Sequence, residues 1–128
     1  MTEELVARAL ALRQNAYAPY SRFRVGAALL AADGRVFDGC NVENAAYGVS
    51  LCAERGALAS AVAAGCRDFT ALAVASTGPE PCVPCGVCRQ ALCEFAPNLT
   101  VHCVAPDGEF KTFPLHTLLP EAFTLRRE

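Results

Sequence analysis

A chain of 128 residues, 53% hydrophobic and 19% charged, has the size of one core and is too apolar for intrinsic disorder. Eleven Lys+Arg against thirteen Asp+Glu leave a net charge of −2, which argues against a broad basic face for duplex nucleic acid. No apolar run approaches the roughly 18 residues of a membrane-spanning helix, so no membrane partner is expected.

The chain opens on Met1-Thr2-Glu3-Glu4, acidic where a secretory signal is basic. It closes on Arg126-Arg127-Glu128, which is neither a lipidation box nor a retention signal. Both ends fit a soluble cytoplasmic protein. Residues 2–16 predict a helix, with Thr2 as its cap, Glu3 and Glu4 at the positive end of the dipole, and Leu5, Ala9, Leu12 and Ala16 on one face. Pro19 stops it. Residues 25–30 and 36–42 are apolar runs on either side of Asp33-Gly34, the pattern of a hairpin. Residues 52–64 form an alanine-rich helix that ends before Gly65. A strand at 70–76, a second small-residue helix at 84–95, strands at 100–105 and 110–113, and a helical turn at 115–119 complete the chain. The order α-β-β-α-β-α-β-β predicts a three-layer α-β-α sandwich around a mixed, mostly five-stranded sheet, with residues 1–128 as a single domain.

Eight cysteines are many for a cytosolic chain, where clustered thiols bind metal more often than they pair. Cys52 opens the first alanine-rich helix in Cys52-Ala53-Glu54-Arg55. Cys85 and Cys88 open the second in Pro84-Cys85-Gly86-Val87-Cys88. Helix N-termini favour thiolate over thiol. Two such termini side by side bring three thiolates to one Zn2+ per chain and leave a fourth position open, as a catalytic zinc requires. Glu54, two residues after Cys52, belongs beside the metal as a proton carrier rather than a ligand. Three thiolates overneutralise the ion, and Arg55 is suited to offset that charge by hydrogen-bonding to sulfur.

Spacing leaves rivals. Cys82, Cys85, Cys88 and Cys93 form C-x2-C-x2-C-x4-C, close to an iron–sulfur run, although that reading leaves Cys52 and Glu54 without a purpose. Pro81-Cys82-Val83-Pro84-Cys85 also fits P-C-x-x-C, which permits a closed structural zinc site with Cys82 as a ligand. Cys40, Cys66, Cys93 and Cys103 read as core residues. His102 and His116 read as packing or surface groups.

The pairing of C-x-E with P-C-x-x-C is the three-cysteine form of the zinc deaminase signature. With Phe23-Arg24-Val25-Gly26-Ala27-Ala28, Asn41-Val42-Glu43-Asn44-Ala45-Ala46-Tyr47-Gly48 and Leu119-Pro120-Glu121-Ala122-Phe123, the sequence resembles the small, homotetrameric class of cytidine deaminases over nearly its whole length. The resemblance implies hydrolytic deamination of cytidine and deoxycytidine in pyrimidine salvage. It implies that Asn41 and Glu43 hold the ribose 3′-hydroxyl, that Phe23 stands at the nucleoside, and that the Ala53 N–H meets the base. It implies that Tyr47 and Phe123 reach into a neighbouring subunit's site. A deaminase of a cytosine-nucleoside antibiotic shares these motifs. An editor of nucleic acid does not fit an acidic chain with no basic, aromatic groove. The chain departs from the usual pattern at Gly56, where Thr follows the C-A-E-R motif in the family, and at Cys82.

Overall fold

The computed structural model describes residues 1–125; the Arg126-Arg127-Glu128 end lies outside the described residues. The elements run α1 (Thr2–Leu12), β1 (Val25–Ala31), β2 (Val36–Cys40), α2 (Ala53–Ala63), β3 (Phe69–Ser76), α3 (Gly86–Cys93), β4 (Thr100–Val104), β5 (Phe110–Pro114) and α4 (Leu115–Leu118). Two short 3-10 turns follow α1 and precede α2, at Arg13–Asn15 and Tyr47–Val49.

The strands form one sheet in the order β2-β1-β3-β4-β5. Among the described residues β3 and β4 pair parallel, and the other three strand pairings are antiparallel. β1 and β3 are buried on both faces, which explains their unbroken apolar runs. Alternation still sorts their side chains by face. Val25, Ala27, Leu29, Leu72 and Val74 meet Ala53, Ala57, Leu58 and Ala61 of α2 and Leu92 of α3. Ala28, Ala73, Ala75 and Val104 meet Leu5, Val6 and Ala9 of α1. Helices therefore cover both faces, and the expected three-layer sandwich is the observed one.

Glycine brings the layers close. A Cβ on Gly26 would lie 2.8 Å from the Arg13 nitrogen and 2.9 Å from Leu12 Cβ, so α1 rests on the β1 backbone itself. A Cβ on Gly39 would lie 2.6 Å from the Ala57 nitrogen and collide with the Ala53 carbonyl. That bare strand lets the first turn of α2 settle onto β2.

Several boundaries differ from the sequence reading. α1 stops at Leu12 and tightens into a 3-10 turn, because Arg13 turns back to Leu10 O and to Ser76 O at the end of β3. Thr2 is its first helical residue rather than its cap; Met1 occupies the cap position. β2 ends at Cys40, and Val42 pairs only through isolated bridges to Tyr17 and Leu51. Gly34 and Gly65 both have positive φ, at the hairpin turn and just past α2, as their sequence contexts require. Among the described residues, no helix is long and apolar enough to cross a membrane.

Candidate active site

The two small-residue helices begin at the same place. Cys52 caps α2 and Cys85 caps α3, both in extended conformation, and Cys88 follows in the first turn of α3. The sulfurs of Cys52, Cys85 and Cys88 lie within 4.8 Å of one another. Two thiolates on one tetrahedral zinc, at Zn–S of about 2.3 Å, stand roughly 3.8 Å apart; Cys52 Sγ and Cys85 Sγ are 3.8 Å apart. The donor set therefore fits zinc in type, number and spacing. Cys82 is not in the cluster. Its N–H bonds to Val104 O, its side chain joins the apolar core, and burial pushes its thiol up to about 12. Cys93 is likewise outside the cluster, so among the described residues the four-cysteine iron–sulfur spacing has no counterpart in space.

The crowding of the sulfurs moves the proton affinities of Cys52 and Cys88 in opposite directions. Cys52 falls to about 5, chiefly through its hydrogen bond with Cys88 and then through Arg55 and Cys85. Cys88 moves the other way, because its hydrogen bond to Cys52 and its own burial hold the proton. Cys52 is thus disposed to the thiolate, the form in which a cysteine binds metal. Arg55 Nη2 points at Cys52 Sγ, 3.6 Å away, and at Ser50 O, 3.4 Å away. Arg55 Nε is buried without a partner among the described residues. The guanidinium thus stands where it balances sulfur charge.

Glu54 is 4% exposed. Burial raises its carboxyl to about 7, with a smaller contribution from the nearby Cys52 charge. It interacts with the Cys88 thiol but is not one of the clustered ligand groups. A carboxyl that holds and releases a proton near neutrality is suited to general acid–base work.

Cys52, Cys85 and Glu54 face a cavity of about 700 Å³. Phe23, Asn41, Glu43, Tyr47, Cys52, Ala53, Glu54 and Cys85 all line it. Asn41 is buried, and both ends of its amide are used: Oδ1 accepts from Val25 N–H at 2.8 Å and Nδ2 donates to Phe23 O at 2.8 Å. Glu43 accepts hydrogen bonds from the Tyr20 and Ser21 amides and from the Ser21 hydroxyl. The hydroxyl contact, above all, holds its carboxyl below the usual range. Tyr47 is 79% exposed at the rim. Phe123 is 68% exposed and lies outside the cavity of its own chain.

Two features went unread in the sequence. Ser76 and the segment from Gly78 to Val83 supply a whole side of the cavity. Their signal was topological: ligands of open α/β sheets collect at the carboxyl ends of strands, and this segment leaves the end of β3. Arg89 and Gln90 brace the site. Arg89 donates to Pro84 O, just before Cys85, and to Leu118 O, both at 2.7 Å. Gln90 Nε2 donates to Phe123 O at 2.9 Å.

A mixed sheet covered on both faces, with three thiols and a buried carboxyl converging at two helix starts, defines the class of zinc-dependent deaminases. The chain belongs to the cytidine and deoxycytidylate deaminase family, whose zinc-binding region matches residues 1–104. It is 46% identical over 123 residues to a cytidine deaminase of Sporosarcina psychrophila, covering 95% of this chain and 90% of that one. It is 47% identical over 121 residues to a cytidine deaminase of Halalkalibacterium halodurans, covering 94% and 92%. The crystal structure of cytidine deaminase from Burkholderia pseudomallei superposes with a TM-score of 0.93 at 49% identity, covering 96% of this chain and 99% of that one.

Proposed function

We propose that this chain hydrolyses cytidine and deoxycytidine to the uridines with release of ammonia. The observation that carries the reading is the meeting of three zinc-competent sulfurs with a buried, proton-holding Glu54, where Cys52, Cys85 and Glu54 line a cavity of about 700 Å³. Cys52, Cys85 and Cys88 would hold the ion. Bound zinc supplies the Lewis acidity that makes water a nucleophile at neutral pH. Glu54 takes a proton from the water that adds to C4 of the base, gives it to N3, and later assists loss of the amine. Burial suits it to this task, since its two protonation states lie close in free energy near pH 7. Arg55 offsets the sulfur charge. Ala53, at the first turn of α2 and in the cavity wall, offers its N–H to the base.

Asn41 and Glu43 hold the ribose 3′-hydroxyl and Phe23 lies along the nucleoside. That reading rests on their shared place in the cavity and on the family resemblance. Residues 1–128 act as one deaminase domain, and the chain works in the cytoplasm in pyrimidine salvage as a homotetramer with shared sites. The support for sharing is the exposure of Tyr47 and Phe123, large aromatic side chains that a lone chain leaves in water. The direct test is an ultraviolet assay on cytidine, deoxycytidine, cytosine and adenosine, with zinc measured on the same sample. Turnover of the two cytosine nucleosides alone, with about one zinc per chain, is the expected result. Turnover of adenosine or of free cytosine in their place would overturn it.

A further inference from the structure

We infer that Gly78 is a positioning residue: its lack of a side chain sets where the Phe23 ring stands in the cavity wall, and hence how well a nucleoside fits. The inference rests on the reading of this cavity as the nucleoside site.

The two residues are in direct contact. A Cβ on Gly78 would lie 2.9 Å from Phe23 Cε1, 3.8 Å from Phe23 Cδ1 and 3.4 Å from Ser76 Oγ. Carbon atoms rest against one another at about 3.5–4.0 Å, so the ring occupies the space that any side chain at 78 would need.

Neither backbone is free to yield. The Phe23 N–H donates to Ser21 Oγ at 2.9 Å, and the Phe23 carbonyl accepts from Asn41 Nδ2 at 2.8 Å. Ser21 is itself held by Glu43, and Asn41 is locked by Val25. Across the contact, Thr77 N–H donates to Arg24 O at 3.0 Å and Arg24 N–H donates to Thr77 Oγ1 at 3.1 Å. Gly78 N–H donates to Ser76 Oγ at 3.1 Å. With both strands of the contact pinned, an added methyl group is relieved by the ring turning from its seat. The ring is 45% exposed and lines the cavity, so its displacement alters the cavity wall and not the core. Asn41 and Glu43 thereby gain a second role. Besides facing the ligand, they fix the backbone from which the aromatic ring hangs.

The experiment compares Gly78→Ala, Phe23→Ala and the double variant with cytidine as substrate. Gly78→Ala should raise KM roughly five- to tenfold, the scale of a local overpacking. Its kcat and zinc content should stay at wild-type values. The dissociation constant of uridine, measured by calorimetry without turnover, should rise by the same factor. In the Phe23→Ala background the same glycine change should do nothing, because the ring it displaces is gone. The inference is overturned if Gly78→Ala leaves KM unchanged. A fall in zinc content, or an equal multiplication of KM in both backgrounds, would overturn it as well. The two readings fail differently. Should Phe23→Ala itself leave KM unchanged, the assignment of this wall to the nucleoside falls, and this inference with it. A raised KM in Phe23→Ala beside an unchanged one in Gly78→Ala removes the role of Gly78 alone.

Discussion

Glu54 and Glu43 line one cavity and live under opposite conditions. Glu54 is buried, and desolvation raises its carboxyl to about 7. Glu43 is half-buried and accepts from two amides and a hydroxyl, which hold its carboxyl below the usual range. The same side chain is thus made into a proton carrier at one place in the cavity lining and a fixed anion at another. Environments that push two carboxyls apart assign the acid–base role. They predict that damage near Glu54 appears in kcat and damage near Glu43 appears in KM.

The largest expected effect comes from removing the sulfurs beside Glu54. Cys52→Ala, Cys85→Ala and Cys88→Ala should each lose zinc and turnover, whereas Cys82→Ala keeps both; metal analysis of the purified variants reads this directly. Retention in Cys85→Ala with loss in Cys82→Ala would reverse the ligand assignment.

Glu54→Gln should retain zinc and fold while kcat falls roughly 10²–10⁴-fold, the usual contribution of general acid–base catalysis. A zinc-loaded Glu54→Gln with near-normal kcat would end the contrast between the two carboxyls.

Phe123→Ala asks whether a neighbouring chain completes the wall between them. It should raise KM roughly tenfold or more, the scale of a lost aromatic contact at an interface, with zinc still bound. Mixed with Glu54→Ala under subunit exchange, it should show a kcat/KM per intact Glu54 above that of Phe123→Ala alone. Exchange proved by mass without that rise would show that Phe123 does not act across subunits.

Glu43→Gln should raise KM for cytidine about tenfold, as expected for weakened charge-assisted hydrogen bonds, and leave kcat within a few-fold. It also has a pH signature. The folded carboxyl lies below its ordinary 4.5, so the stability it adds is complete above that pH. That stability is lost as the pH falls through the lower folded value. Melting curves of the wild type and Glu43→Gln should therefore converge in acid below about pH 4.5, the ordinary value of the group.

The smallest effect tests the helix under Glu54 without touching either carboxyl. A Cβ at Gly56 would meet Leu51 Cδ2 at 3.6 Å and Cys40 O at 3.8 Å, ordinary contacts with no clash. Gly56→Ala should stabilise the fold by about 0.5–1 kcal/mol, by thermal melting, with zinc content unchanged.

Local order was legible because it depends on neighbours along the chain. Periodicity found the helices and strands, Asp33-Gly34 and Gly65 marked turns, and the cysteines that start α2 and α3 announced a metal site. Helix ends were less legible, since Arg13 ends α1 through partners as distant as Ser76. Spacing also could not choose between Cys82 and Cys85, which both satisfy P-C-x-x-C. Packing separates them, by tying Cys82 to Val104 in the core and leaving Cys85 at a helix start beside Cys52. The strand order, the cavity wall from Gly78 to Val83 and the seat of Phe23 on Gly78 likewise belong to tertiary structure. They join residues far apart in the numbering, such as Phe23 and Gly78, which are 55 positions apart. Residue type and spacing specify which chemical groups the chain carries. Their burial and their partners, which turn one glutamate into a proton carrier and another into an anchor, exist only once distant segments are packed together.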